Sequence, residues 1–357
     1  MMGVNACSSD ELMEMDENTS PLSTKADEQQ YIPQSEQFEL VKGADVSWLT
    51  EMEAQGIKFY NNNGVEEDCL KILQGKGINT IRLRVWVNPA NSYCGLQDVL
   101  VKAKRAQQQG LSLMIDFHYS DDWADPSKQT IPAAWQGKDL DELCTAVSDH
   151  TTEVLTALKN AGIDVKYVQV GNETGNGMLW PYGQADKNPA GYAKLVNAGY
   201  DATKTVYPNA GVIIHLQNGQ DKSLFTWLFD ILKNNGARYD IIGMSLYPEP
   251  TNYTSMLSSC RANMVSCIAR YDKDVMLCEV GMGNSYVNEC TEFLKGCLAL
   301  SNSIAENRFL GVLYWEPQVY NDWNGYKKGA FTSQGRPGAQ IDAFEDKDSS
   351  LPSVKMD

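Results

Sequence analysis

The chain is short of basic side chains: 30 lysines and arginines stand against 46 aspartates and glutamates in 357 residues, a formal charge of −16. Such a surface repels the phosphates of nucleic acid and the anionic face of a membrane, which excludes a nucleic-acid partner and favours a neutral or cationic one. No run of 18 or more apolar residues occurs, so no segment reads as a membrane-spanning helix. Histidine is scarce, and His118, His150 and His215 form no zinc set. The nine cysteines contain no C-x-x-C pair, and Cys290 and Cys297, seven apart, read as a core stripe on a helix. No glycine-rich phosphate loop follows the first apolar run. What the chain does have is 43% apolar and 10% aromatic residues, enough for one large core.

Residues 1–36 read as a flexible acidic tether. MMGVNACSSDELMEMDENTSPLSTKADEQQ carries seven acids, one lysine and no periodic apolar pattern. Cys7, behind small residues and ahead of Ser-Ser-Asp-Glu, resembles the processed end of a bacterial lipoprotein, whose cysteine carries the lipid. The apolar region that a signal peptide needs is missing before it. The expectation is a monomer, secreted or held at a bacterial cell surface as an outer-membrane lipoprotein through Cys7. The other eight cysteines permit disulfides without showing them.

Residues 37–345 form the folded domain and 346–357 a tail. Within the domain, eight β-branched runs alternate with segments of helical period: 41–46, 80–87, 112–118, 166–170, 211–216, 240–247, 274–280 and 311–316. Glycines at 77, 110, 162 and 236, each followed by an apolar residue, read as helix ends turning into the next strand. A helix over 140–160 carries an inward stripe of Leu143, Ala146, Val147, Val154, Leu155 and Leu158. Eight strand and helix pairs predict an α/β fold, a single closed (β/α)8 barrel.

Such barrels place their sites at the C-terminal ends of the strands. Polar and aromatic residues gather there: Asp45, Arg82, Arg84, Trp86, Asp116, His118, Asp121, Trp123, Asn172, Glu173, Trp180, His215, Asn218, Ser245, Tyr247, Glu279 and Trp315. Arg82 and Arg84, two apart, share one face of their strand. A buried arginine is costly without a carboxylate, which predicts an acid near the axis, with Glu279 the candidate. Glu173 ends the fourth run and Glu279 the seventh, so closure brings two carboxyls across one mouth. That pair is the equipment for glycoside hydrolysis. At a separation of about 5 Å one carboxylate attacks the anomeric carbon while the other donates a proton, and configuration is retained. Asn172 would meet the sugar 2-hydroxyl. The tryptophans would pack on sugar faces, although core packing explains any one of them equally well.

The stretches Thr80-Ile-Arg-Leu-Arg-Val-Trp-Val-Asn-Pro89, Ile115-Asp-Phe-His-Tyr-Ser-Asp-Asp-Trp-Ala-Asp-Pro126, Val170-Gly-Asn-Glu173, Cys278-Glu-Val280 and Tyr314-Trp-Glu-Pro317 resemble glycoside hydrolase family 53, the endo-β-1,4-galactanases. The resemblance implies a barrel of the clan A type, Glu173 as acid/base and Glu279 as nucleophile. It also implies internal cleavage of β-1,4-galactan, a pectin side chain, with no cofactor. Departures occur at Gly43-Ala-Asp45-Val-Ser-Trp48, where the tryptophan is displaced, and at Thr174-Gly175 after the acid/base. Some bacterial members bind calcium near the last strands, but no Asp-rich loop of that spacing is present and no metal is expected. Two alternatives stay open: another clan A endo-glycanase, of mannanase or xylanase type, or a surface glycan-binding lipoprotein without chemistry.

Overall fold

The structure, a computed structural model, describes residues 39–345. The tether with Cys7 and the tail from 346 lie outside the described residues.

Eight parallel strands close into a barrel: β1 (Val41–Asp45), β2 (Thr80–Val85), β3 (Ser112–Phe117), β4 (Tyr167–Val170), β5 (Gly211–Leu216), β6 (Ile241–Leu246), β7 (Asp274–Val280) and β8 (Phe309–Trp315). Each pairs with its sequence neighbours, and β8 returns to β1 with Val41 beside Gly311 and Asp45 beside Trp315. The expected single (β/α)8 barrel is therefore observed. Several strands stop one or two residues before the ends that hydropathy suggested, and β8 starts two residues earlier. Alternation in hydropathy continues past the last ladder bond, so it overruns the strand. His118, Tyr247 and Glu316 accordingly sit just beyond their strands, in the turns that form the mouth.

Side chains of alternate strand residues fill the interior. Val41, Met114, Tyr167, Ile213, Ile241, Met276, Cys278 and Leu313 make an apolar plug at the lower end. Gly43 takes its place in that layer because a Cβ there would lie 2.4 Å from Leu313 Cγ. Above the plug the inward positions turn polar. Ile81, Leu83 and Val85, facing outward, join the larger core between strands and helices.

The helix Leu140–Asn160 shows how sequence sets the outer layer. Asp139 caps it by accepting from the Glu142 amide at 2.9 Å, while Glu142 accepts from the Asp139 amide at 2.8 Å. Its buried face is Leu143, Val147, Thr151, Val154, Leu155 and Leu158; Ala146 is only partly covered, because Thr151 rather than Ala146 lies on the inner line. The helix ends at Gly162 with φ +72°, where the Ile163 amide returns to the Leu158 carbonyl. All eight cysteines among the described residues are free thiols, Cys144 half-buried and the rest buried.

Candidate active site

Asp45, Arg82, Asp116, Gln169 and Glu279, from β1, β2, β3, β4 and β7, form a polar layer on the apolar plug, all buried. Arg82 is its centre. Nη1 meets Asp45 Oδ2 at 2.9 Å and Glu279 Oε1 at 2.8 Å, and Nη2 meets Asp116 Oδ2 at 2.9 Å. One cation inside three carboxylates satisfies the expectation that a buried arginine meets acids. Burial pushes the Asp116 carboxyl up, yet Arg82 and then His118 outweigh it and hold it below its ordinary value. His118 is in its Nε2–H tautomer: Nδ1 accepts from the Ala124 amide at 3.1 Å and the Trp86 indole at 3.3 Å, leaving Nε2 to donate to Asp116 at 3.1 Å.

Glu279 ends β7, and its second oxygen accepts the Tyr247 hydroxyl at 2.8 Å. Glu173 stands three residues beyond β4, where Gly171 at φ +81° and Glu173 itself at φ +44° turn the chain into the mouth. A left-handed glutamate is uncommon and marks a backbone fixed by its surroundings. Glu173 Oε1 accepts the Ser245 hydroxyl at 2.6 Å. Burial is the largest influence on both carboxyls and pushes both up, Glu279 to about 8 against the pull of Arg82. The two repel each other's charge, so they titrate as a pair that keeps a proton near neutrality. Direct contact with the guanidinium puts the anion on Glu279 and leaves the proton on Glu173.

Both carboxyls line one cleft of about 570 Å³ together with His118, Trp123, Asn172, Asn218, Tyr247 and Trp315. Asn172 is oriented from behind. Its Oδ1 accepts from Arg82 at 3.1 Å and its Nδ2 donates to the Ala124 carbonyl at 2.9 Å, so the second N–H is left for a ligand. Arg84 lies above this layer among indoles, its guanidinium carbon 4.2 Å from the Trp123 ring centre and 4.9 Å from that of Trp86. Trp315 meets Trp123 edge-on at 5.9 Å, and Trp48 joins both.

Two of the expected site residues point elsewhere. Asp121 accepts the amides of Asn88 and Ala133 and braces loops, and Trp180 gives its indole N–H to the Asn176 carbonyl; neither lines the cleft. His215 and Ser245 lie beneath the floor, behind Glu173. Sequence reasoning missed Gln169, the hydrogen-bond hub of the polar layer, which hydropathy gives as one position in a β-branched strand. Glu316, which ends the eighth run, is not in the expected site set either. That carboxyl is fully buried, accepts from the Trp48 amide and Gln318, and is pushed up to about 8 by burial and then by the charge of Asp45. Asp125, Gln217, Tyr326 and Lys328 also line the cleft. They belong to loops with no period, though Asp125 falls inside a quoted motif. No group of three or more metal-binding side chains occurs among the described residues.

Residues 41–356 match the family described as Glycosyl hydrolase family 53. A "Probable arabinogalactan endo-beta-1,4-galactanase A" from Neosartorya fischeri is 34% identical over 77% of this chain and 83% of its own length. An "Arabinogalactan endo-beta-1,4-galactanase" from Thermothelomyces thermophilus is 32% identical over 79% and 91%. Among solved structures, a fungal beta-1,4-galactanase superposes with a TM-score of 0.79 at 30% identity, covering 86% of this chain and 99% of the other. The GH53 catalytic domain of Ignisphaera aggregans gives 0.79 at 28% identity, over 87% and 97%.

Proposed function

Because the chain belongs to glycosyl hydrolase family 53, we propose that it is an arabinogalactan endo-β-1,4-galactanase, hydrolysing galactan within the polymer with retention of configuration. The observation that carries the mechanism is the unequal support of the two carboxyls in one cleft: Glu279 rests on Arg82, Glu173 on a hydroxyl.

Glu279, kept anionic, attacks the anomeric carbon, and Glu173 protonates the departing glycosidic oxygen. A covalent galactosyl-enzyme results. Glu173, now a carboxylate, takes a proton from water, which attacks the same carbon from the face the leaving group vacated. Two inversions give net retention. The free N–H of Asn172 meets the 2-hydroxyl, a contact that strengthens as positive charge develops on the ring. Trp123 and Trp315 offer apolar faces to the sugar C–H surfaces. The chain needs no cofactor for these steps.

The enzyme works outside the cell, where its polymeric substrate lies, as a monomer. Cys7 is the proposed lipid attachment point of a bacterial surface form, which the mass of the N-terminal peptide after expression in a lipoprotein-processing host tests.

Reducing-end release from linear β-1,4-galactan, with β-mannan, xylan and β-1,3-galactan alongside, tests the substrate. Release from β-1,4-galactan alone, lost in Glu173→Gln, is the expected result. Release from another glycan moves the substrate, and no release from any refutes the hydrolase.

A further inference from the structure

We propose that Ser245, held by His215, is a positioning residue for Glu173: its hydroxyl binds one carboxyl oxygen and stabilises the ionised form needed in the second half of the reaction. The proposal rests on the acid/base reading of Glu173 given above.

The hydrogen-bond directions follow from the chemistry of each group. An ionised Glu173 can only accept, so the single hydroxyl proton of Ser245 goes to Oε1, at 2.6 Å. His215 Nε2, 2.8 Å from Ser245 Oγ, must then be the donor in that contact. With its proton on Nε2, a neutral His215 has a bare Nδ1, which takes a hydrogen from Gln169 Nε2 at 3.1 Å. Gln169 uses its other amide hydrogen on Asp116 Oδ1 at 2.5 Å, and its oxygen accepts from Arg82 Nη2 at 3.1 Å. When Glu173 is ionised, one line of donors therefore runs from Arg82 through Gln169, His215 and Ser245 to Glu173, while Asn172 Oδ1, also 3.1 Å from His215 Nδ1, takes its hydrogen from Arg82. The same guanidinium touches Glu279 through its other nitrogen. One directed chain thus runs behind the cleft from the contact of the nucleophile to one oxygen of the acid.

The setting leaves His215 able to donate from one ring nitrogen and accept on the other. His215 is fully buried, and burial first, then the charge of Arg82, holds it well below its ordinary value, so it stays neutral. The charged and titratable groups facing Glu173 are Arg82 from β2, Asp116 from β3, Asp125 from the loop after β3 and Glu279 from β7, with Tyr247, just beyond β6, bonded to Glu279. Burial and the nearby acids push Glu173 up; Ser245 and Arg82 oppose them. Of these two opposing groups, Ser245 bonds the carboxyl directly and Arg82 acts through its charge. With Oε1 occupied, the transferable proton resides on Oε2, which fixes where the leaving oxygen must lie.

A bond to the ionised form lowers an acid's pKa, so its loss raises it. Ser245→Ala should move the alkaline limb of kcat/KM on β-1,4-galactan upward by about one pH unit, the scale of one hydrogen bond. His215→Phe, which removes the donor that polarises Ser245, should move the limb the same way by less. The double variant should move it no further than Ser245→Ala, since His215 acts only through the hydroxyl. An unmoved limb in Ser245→Ala, or shifts that add in the double variant, overturns the proposal. Glu173→Gln is measured beside them on galactan and on an aryl β-galactobioside with a good leaving group, which needs no acid. A kcat/KM lost on galactan but kept on the aryl substrate, even where loss of the base lowers kcat, upholds the underlying reading, so that a failure at Ser245 stands alone. Equal loss on both overturns the acid/base role of Glu173 and this proposal with it.

Discussion

Replacing Arg82 by methionine keeps a long unbranched side chain but removes the cation that three buried carboxylates share. Asp45, Asp116 and Glu279 lie 2.8 to 2.9 Å from it, and among the described residues no other arginine or lysine forms an ion pair with them. Removing one partner of a buried pair costs about 3–5 kcal/mol because the other charge is left without compensation. The pH dependence identifies the cause. In the parent, Asp116 is held below its ordinary value, so the stability it adds is present above about pH 4 and is lost as pH falls through its folded value. Without Arg82, burial wins at Asp116 and rises further at Glu279. Folded values above unfolded ones impose a penalty at high pH that fades as pH falls through them. The stability gap between parent and Arg82→Met should therefore be about 3–5 kcal/mol at pH 8 and shrink to half or less near pH 5. Urea unfolding followed by the fluorescence of the eight tryptophans measures it. A gap equal at both pH values, or under about 1 kcal/mol at pH 8, refutes the reasoning.

Three further expectations concern activity. Glu279→Gln should abolish turnover and keep galactan binding in affinity electrophoresis, while Glu279→Ala with azide should yield an inverted galactosyl azide; parental activity in the glutamine variant would remove Glu279 as nucleophile. Tyr247→Phe deletes one hydrogen bond to Glu279 Oε2 and should cost about tenfold in kcat/KM, measured as reducing-end release, with an unchanged value counting against that contact. Dialysis against EDTA should alter neither the melting temperature nor the rate, and a drop restored by calcium would reveal a required ion.

How far the sequence could be read depended on how far each residue obeys a period. The barrel was legible because every strand is buried on both faces and every helix has one apolar stripe, as Leu140–Asn160 shows. Glu173 and Glu279 were legible because a carboxyl at the end of an apolar strand violates that pattern. Gln169 was not, since an uncharged amide between Val168 and Val170 violates it only weakly, and its role depends on three partners from other strands. Asp121 and Trp180 look like cleft residues by position along the chain, but a loop's side-chain directions follow from its own hydrogen bonds. The Asn88 and Ala133 amides claim Asp121, and the Asn176 carbonyl claims Trp180.

The eight unpaired cysteines give the barrel a built-in reporter. Seven are buried in strands, helices and the turn at Cys94, and burial pushes Cys69, Cys260, Cys278 and Cys297 above the ordinary thiol value, so they resist alkylation while the chain is closed. Among the described thiols, half-covered Cys144 would react first, and the others only when their own segment opens. Pulse alkylation read by mass would then map, thiol by thiol, the order in which the barrel comes apart, with no engineered cysteine and no oxidant needed to reassemble it.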